Sequence, residues 1–121
     1  YRCPPVRLAR VLDAFPGGTV IGAHMGGYRY WDDVEKYLLG RDLYLDTSFS
    51  LAELGPDRMA SLMRRHGLGR ILFGTDAPWS DPARELAGIR ALGLGKDELA
   101  AVLGGNAARL LGLADCPAGQ E

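Results

Sequence analysis

The chain has 121 residues, 47% of them hydrophobic and 24% charged, with a net charge of −1. That length and balance suit one globular domain with one real core. The near-neutral charge gives no electrostatic case for nucleic acid or an acidic membrane surface, and no apolar run approaches the ~20 residues that span a bilayer.

In chain order, Leu8, Val11, Leu12 and Phe15 fall at i, i+3, i+4 and i+7, which predicts a helix. Thr19–His24 then reads as a buried strand, because it shows little polar alternation. Trp31, Val34 and Leu38 share a helical face, and Gly40 is a plausible stop. Leu43–Ser48 is a second, more mixed strand. Pro56 sits where a first-turn proline belongs, and Met59, Leu62 and Met63 form a stripe that ends at Gly67. Ile71–Asp76 is the third strand. Asp81-Pro82 reads as an N-cap followed by the first residue of a helix carrying Leu86, Ile89 and Leu92. A last helical pair follows, with Leu99, Val102 and Leu103, then Leu110 and Leu111 after Asn106. The 17 glycines punctuate these elements rather than forming a low-complexity tract.

Strict helix–strand alternation implies parallel strands with crossover helices. The strand ends at His24, Ser48 and Asp76 recur 24 and 28 residues apart. A (β/α)8 barrel of ~250 residues averages about 31 per unit. The expected fold is therefore α/β: residues 1–121 form a single partial domain, a portion of a TIM barrel. Cys3 and Cys116 lie too far apart in sequence for a CxxC metal site and are too few for a disulfide framework. They read as reduced thiols of a cytoplasmic protein.

In a parallel sheet the carboxyl ends of all strands face one rim, where ligands bind. His24 and Asp76 end two strands, and Asp46-Thr47-Ser48 ends the third. Imidazole and carboxylate at one rim can bind a metal or move protons. Either alone could equally be a buried hydrogen-bonded histidine or a turn-capping aspartate. Gly26-Gly27 could cradle phosphate, but the run lacks both a G-x-G-x-x-G pattern and a P-loop lysine. The other reading is close passage of the backbone past a ligand or a neighbouring loop. Trp79, Tyr28 and Ser48 are candidate substrate contacts, with Tyr30 as a further pocket wall. Asp46 shares Ser48's face of its strand. His66 reads as a surface or helix C-terminal residue without a catalytic role. Asn106 reads as the N-cap of the last helix, and Arg109 as ion-paired or solvent-facing.

Ala23-His24-Met25-Gly26-Gly27, Tyr44-Leu45-Asp46-Thr47-Ser48, Phe73-Gly74-Thr75-Asp76-Ala77-Pro78-Trp79 and Gly105-Asn106-Ala107-Ala108-Arg109-Leu110-Leu111 occur in this order. Together they resemble the C-terminal half of the amidohydrolase-related metal-dependent hydrolases. This is the (β/α)8-barrel branch that includes aminocarboxymuconate-semialdehyde decarboxylase. The resemblance covers nearly the whole chain. It implies strands 6–8 of a barrel, hydrolysis or non-oxidative decarboxylation of a small molecule, and a divalent metal, zinc above all. It makes Asp76 a metal ligand and proton acceptor, and His24 a contact to substrate or activated water in one-metal members or a ligand to a second metal in two-metal members. The family's first-strand His-x-His pair and fifth-strand histidine have no counterpart here. The expectation is thus a C-terminal piece of a longer enzyme, inactive alone, whose partner is the missing half of the barrel or a second copy. Two other readings stand beside it: a non-catalytic half-barrel that serves assembly, and a small flavodoxin-like nucleotide binder.

Overall fold

The computed structural model describes residues 3–113; Cys116 lies outside them. Helix α1 spans Pro5–Ala14, strand β1 Ile21–Gly22, α2 Trp31–Tyr37 and β2 Tyr44–Asp46. They are followed by α3 Leu51–Leu54, α4 Pro56–His66, β3 Ile71–Leu72, α5 Pro82–Arg90, α6 Lys96–Ala100 and α7 Asn106–Leu110. The expected alternation is present. The strands form one parallel sheet in the order β1-β2-β3, with Gly22 opposite Leu45 and Leu45 opposite Ile71.

The regular strands are shorter than the apolar runs suggest. Pairing continues at one bond per junction, with Tyr44 N donating to Val20 O (2.9 Å) and Thr47 N to Leu72 O (3.0 Å). The first of these bonds lies at the amino ends of its strands; beyond the second, at the carboxyl ends, the chain turns aside to build the rim. Helix α3 was not expected: its four residues are too few to show a helical stripe. Two sequence signals hold as read. Pro56 opens α4, and the Asp81 carboxylate caps α5 by accepting from Ala83 N at 2.9 Å.

Leu45 and Ile71 of the sheet, Val34 and Leu38, Met59, Leu62 and Met63, Ile89 and Val102 are all essentially inaccessible to solvent. One core therefore runs along the whole sheet. Gly26 and Gly27 are part of its packing. A Cβ on Gly26 would lie 2.8 Å from Leu38 Cδ1, and one on Gly27 2.8 Å from Pro5 Cγ. Of the two readings of this pair, close backbone passage has the geometric support.

The end of the sheet where β2 and β3 begin is closed by polar residues that sequence reasoning misplaced. His66 does end α4, but it is buried at 2% exposure rather than on the surface. Its Nε2 donates to Leu43 O (2.8 Å), and its Nδ1 accepts from Gly40 N (3.2 Å). Asn106 is no N-cap. It has helical dihedrals in a continuous turn that passes through the π-helical segment Ala101–Gly105. Its amide donates to Leu68 O (2.6 Å) and Ile71 O (2.8 Å). Arg109 neither pairs with a carboxylate nor simply faces solvent; it donates to Gly69 O and to Asn106 Oδ1. In each case a backbone carbonyl at the start of a strand needed a donor, and a side chain supplied it. Among the described residues no helix is long and apolar enough to cross a membrane.

Candidate active site at the strand ends

Among the described residues, five that are not glycine have positive φ: His24 (53°), Met25 (53°), Arg29 (63°), Phe49 (53°) and Asp76 (59°). Each lies in a segment leaving the carboxyl end of a strand. Left-handed backbone costs an L-residue roughly 1–2 kcal/mol. Its concentration at one rim marks a place where geometry is held against local preference.

The tightest cluster there joins β1 to β2. Asp46 Oδ1 accepts from His24 N (3.0 Å), from Ser48 N (3.0 Å) and from Ser48 Oγ. His24 Nδ1 lies 3.0 Å from both Ser48 O and Ser48 Oγ. A carbonyl oxygen only accepts, so Nδ1 carries the hydrogen. Nε2 then keeps its lone pair, and no side chain or backbone group among the described residues uses it. The residue that organises this cluster is Asp46, which sequence reasoning noted only for sharing a face with Ser48. The spacing Asp-x-Ser was the available signal: two residues apart on a strand, their side chains meet on one face.

Tyr28 stands over the cluster. Its ring centroid is 5.9 Å from that of His24, 6.2 Å from Trp31 and 5.7 Å from Phe49. The Tyr28 hydroxyl donates to Glu53 Oε1 (3.2 Å), which also pairs with Arg29 (2.8 Å). That pairing holds the Glu53 carboxyl below its ordinary range. Tyr28, Tyr30 and His24 line a cavity of about 380 Å³ together with Ile21 and Gly26-Gly27. Phe49 and Trp79 line a second cavity of about 280 Å³ with Ser80, Arg84 and Glu85. Trp79 is 77% exposed, so it stands open on this groove rather than packing beneath the loop. Glu85 is buried; Ser80 Oγ donates to its Oε1 (2.7 Å), while Oε2 has no partner.

Asp76 is exposed, and its carbonyl accepts from Trp79 N (2.9 Å). The strand leading to it passes beside the cluster. Gly74 and Thr47 exchange two hydrogen bonds of 3.1 Å, and a Cβ on Gly74 would lie 3.5 Å from Asp46 Cγ. The structure thus hydrogen-bonds His24 and Ser48 together, sets the Tyr28 ring edge-on to His24, and places Asp76 and Trp79 on the loop after the third parallel strand. No hydrogen bond joins Asp76 to His24 among the described residues. Nor does any group of three His, Cys, Asp or Glu side chains there stand ready to hold a metal ion. A catalytic zinc normally takes three protein ligands, so the described residues do not form a metal centre by themselves.

Three comparisons bear on this arrangement. The amidohydrolase family profile matches residues 4–113. No curated protein matches the chain. Among solved structures, a dihydroxybenzoic acid decarboxylase from Polaromonas, with bound manganese and the inhibitor 2-nitroresorcinol, is similar at TM-score 0.70 and 20% identity. The similarity covers 92% of this chain and 40% of that one. A 2,6-dihydroxybenzoate decarboxylase complexed with 2,6-dihydroxybenzoate is similar at TM-score 0.68 and 20% identity, with the same two coverages. A 5-carboxyvanillate decarboxylase from Sphingomonas paucimobilis is similar at TM-score 0.66 and 20% identity, covering 87% of this chain and 38% of that one. At this identity the likeness speaks for the fold, and the chain spans about two fifths of these structures' length. With the profile running over nearly every described residue, the chain belongs to the amidohydrolase family.

Proposed function

We propose that this chain supplies three consecutive units of a (β/α)8 barrel, strands 6–8, to a metal-dependent hydrolase or non-oxidative decarboxylase acting on a small aromatic carboxylate. The observation that carries the proposal is that His24 and Asp76 both follow the carboxyl ends of parallel strands in one sheet, with Trp79 after Asp76 opening on a groove lined by Phe49 and Arg84 as well as by Glu53, Asp81 and Glu85. The groove gives the substrate class its support. Trp79 and Phe49 offer ring faces, and Arg84 offers a guanidinium for a carboxylate. The related decarboxylases bind dihydroxybenzoate and nitroresorcinol, molecules of similar shape.

A divalent cation, zinc in our reading, would supply charge at the rim, with His24 and Asp76 among its ligands and the rest coming from outside the described residues. The chain's own contribution is to hold an unprotonated His24 Nε2 and the Asp76 carboxylate where they can bind a cation or accept a proton. The exposed apolar side chains Phe15 (66%), just after α1, and Ile21 (52%), on the edge strand β1, are open to solvent. They favour association of that edge with further barrel strands, or with a second copy of the chain.

Manganese titrated in excess into the chain, so that even weak and partly liganded binding is read as paramagnetic broadening in NMR spectra, tests the shared rim. The His24 ring and the residues flanking Asp76 should broaden together, and His66 should stay sharp. Broadening at His24 without Asp76 would separate the two groups and end the proposal. In the longer protein carrying this chain, His24→Gln and Asp76→Asn should each lower turnover of an aromatic carboxylate at least about 100-fold. Unchanged turnover in either variant counts against the assigned roles.

A further inference from the structure

The rim cluster has a direction. Ser48 O already accepts from Ser50 Oγ (2.9 Å) and faces His24 Nδ1 at 3.0 Å, so the imidazole hydrogen is drawn to the Ser48 side. Ser48 Oγ donates to Asp46 Oδ1, which leaves its lone pairs free to share that hydrogen. The same Oδ1 accepts the backbone N–H of both His24 and Ser48, tying the two loops to one point. His66 carries the opposite pattern, with Nε2 donating to a carbonyl and Nδ1 accepting from a backbone N–H.

We propose that Asp46 and Ser48 are positioning residues that fix His24 in the Nδ1–H tautomer and hold its Nε2 lone pair ready for a cation or a proton. The chemistry runs in one line: His24 Nδ1–H to Ser48, Ser48 Oγ–H to Asp46. A neutral imidazole free of such constraints populates both tautomers, and only one of them presents a bare Nε2. A His24 side chain with Nε2–H could neither ligate a metal nor accept a proton there. This inference deepens the proposed role of His24. It is read without metal or substrate, so it stands or falls apart from that role.

The test exploits the presence of only two histidines in the chain. Long-range ¹H–¹⁵N spectra of the ¹⁵N-histidine-labelled chain distinguish the two tautomers. They would be taken well above the ordinary histidine titration near about pH 6.5. The wild-type chain should show His24 as Nδ1–H and His66 as Nε2–H. His66, buried at the far end of the sheet, reports in each variant that the fold is intact. With Ser48→Ala, His24 should remain mostly Nδ1–H, because the residue-48 carbonyl still accepts. With Asp46→Ala, or the gentler Asp46→Asn, it should become a mixture while His66 is unchanged. In the longer protein, Asp46→Asn should lower kcat at least about tenfold with little change in KM. An Nε2–H His24 in the wild-type chain overturns the proposal. So does a purely Nδ1–H His24 in the double variant Asp46→Asn/Ser48→Ala with a folded His66 signal.

Discussion

The two histidines stand at opposite ends of one parallel sheet and are treated in opposite ways. His66 is buried where β2 begins, both of its nitrogens are hydrogen-bonded, and every contact serves the fold. His24 sits beyond the carboxyl end of β1 on a left-handed backbone, with one nitrogen bonded and the other free. The difference shows how a parallel α/β sheet divides labour. At its amino end, strand carbonyls demand donors and side chains supply them, as Asn106 and Arg109 do for Leu68, Ile71 and Gly69. At its carboxyl end the chain keeps groups unsatisfied and backbones strained, which helps only a site that binds something.

The sharpest way to break this comparison is at Asn106. Asn106→Ala leaves the Ile71 carbonyl without its side-chain donor at a fully buried position, while the Leu68 carbonyl loses one of two donors and keeps the Ile71 N–H. An unmet buried acceptor costs about 1–3 kcal/mol, so the variant should lose roughly 2 kcal/mol in urea unfolding. A loss below about 1 kcal/mol would show that water or slippage satisfies these carbonyls, and that the amino end is not built as described.

The next effect concerns His66 and pH. Burial, the largest cause, holds its imidazole below the ordinary value of 6.5, and nearby Arg70 adds to this, while the bond to the Leu43 carbonyl pulls the other way. The folded chain therefore takes up this proton at lower pH than the unfolded chain does. Between those two values the unfolded state holds more protons, so stability rises with pH there. The contribution is complete above about pH 6.5 and is lost as pH falls from there toward the folded value. His66→Gln should flatten this part of a stability–pH curve. Glu35, held low by hydrogen bonds from Arg65 and Arg58, adds acid sensitivity only below its ordinary 4.5, so the two windows separate. A stability–pH curve that His66→Gln leaves unchanged would mean that this imidazole is not held buried and hydrogen-bonded as described.

The amino end was also the harder one to read from sequence. Alternating helical stripes and apolar runs disclosed the order of elements and the parallel sheet, because periodicity is local. The proline at 56 and the Asp81-Pro82 pair disclosed helix starts for the same reason. The partners of His66 and Asn106 lie 23 to 38 residues away, and nothing local in the sequence encodes which carbonyl will need a donor. At the rim, the placement of His24, Tyr28, Ser48, Asp76 and Trp79 at or just after strand ends was legible. The central place of Asp46 was not, since it depends on the depth to which β1 and β2 pair before the chain turns. The strand lengths were overread for a related reason. The predicted runs extend past the regular ladder because burial continues there: Thr47 and Ser48 stay buried, with Gly74 and the Asp46–His24 cluster satisfying their hydroxyls.

At the rim, smaller effects should carry the opposite sign. Asp76 adopts φ 59°, a conformation that glycine takes without strain. Asp76→Gly should therefore leave stability unchanged or raise it by about 0.5 kcal/mol, while the longer protein loses activity. A clear destabilisation would mean that the carboxylate holds the loop together, and its proposed availability to a ligand would fail.

The smallest expected effect on stability is the most telling about the groove. Trp79 is 77% exposed, so Trp79→Ala removes little buried area and should shift unfolding by no more than about 0.5 kcal/mol. Its consequence lies in binding. The chain has two tryptophans: Trp31 is buried within the core, and Trp79 is open to water. Wild-type emission should therefore contain a red-shifted component that an aqueous quencher reaches and that the variant lacks. A simple aromatic carboxylate such as benzoate, entering beside Phe49 and Arg84, should shield that component and leave the Trp31 signal unaltered. Quenching that is undiminished at saturating benzoate would leave Trp79 as an exposed loop residue, and the rim would have to recognise its substrate through Tyr28 and the His24 cavity instead.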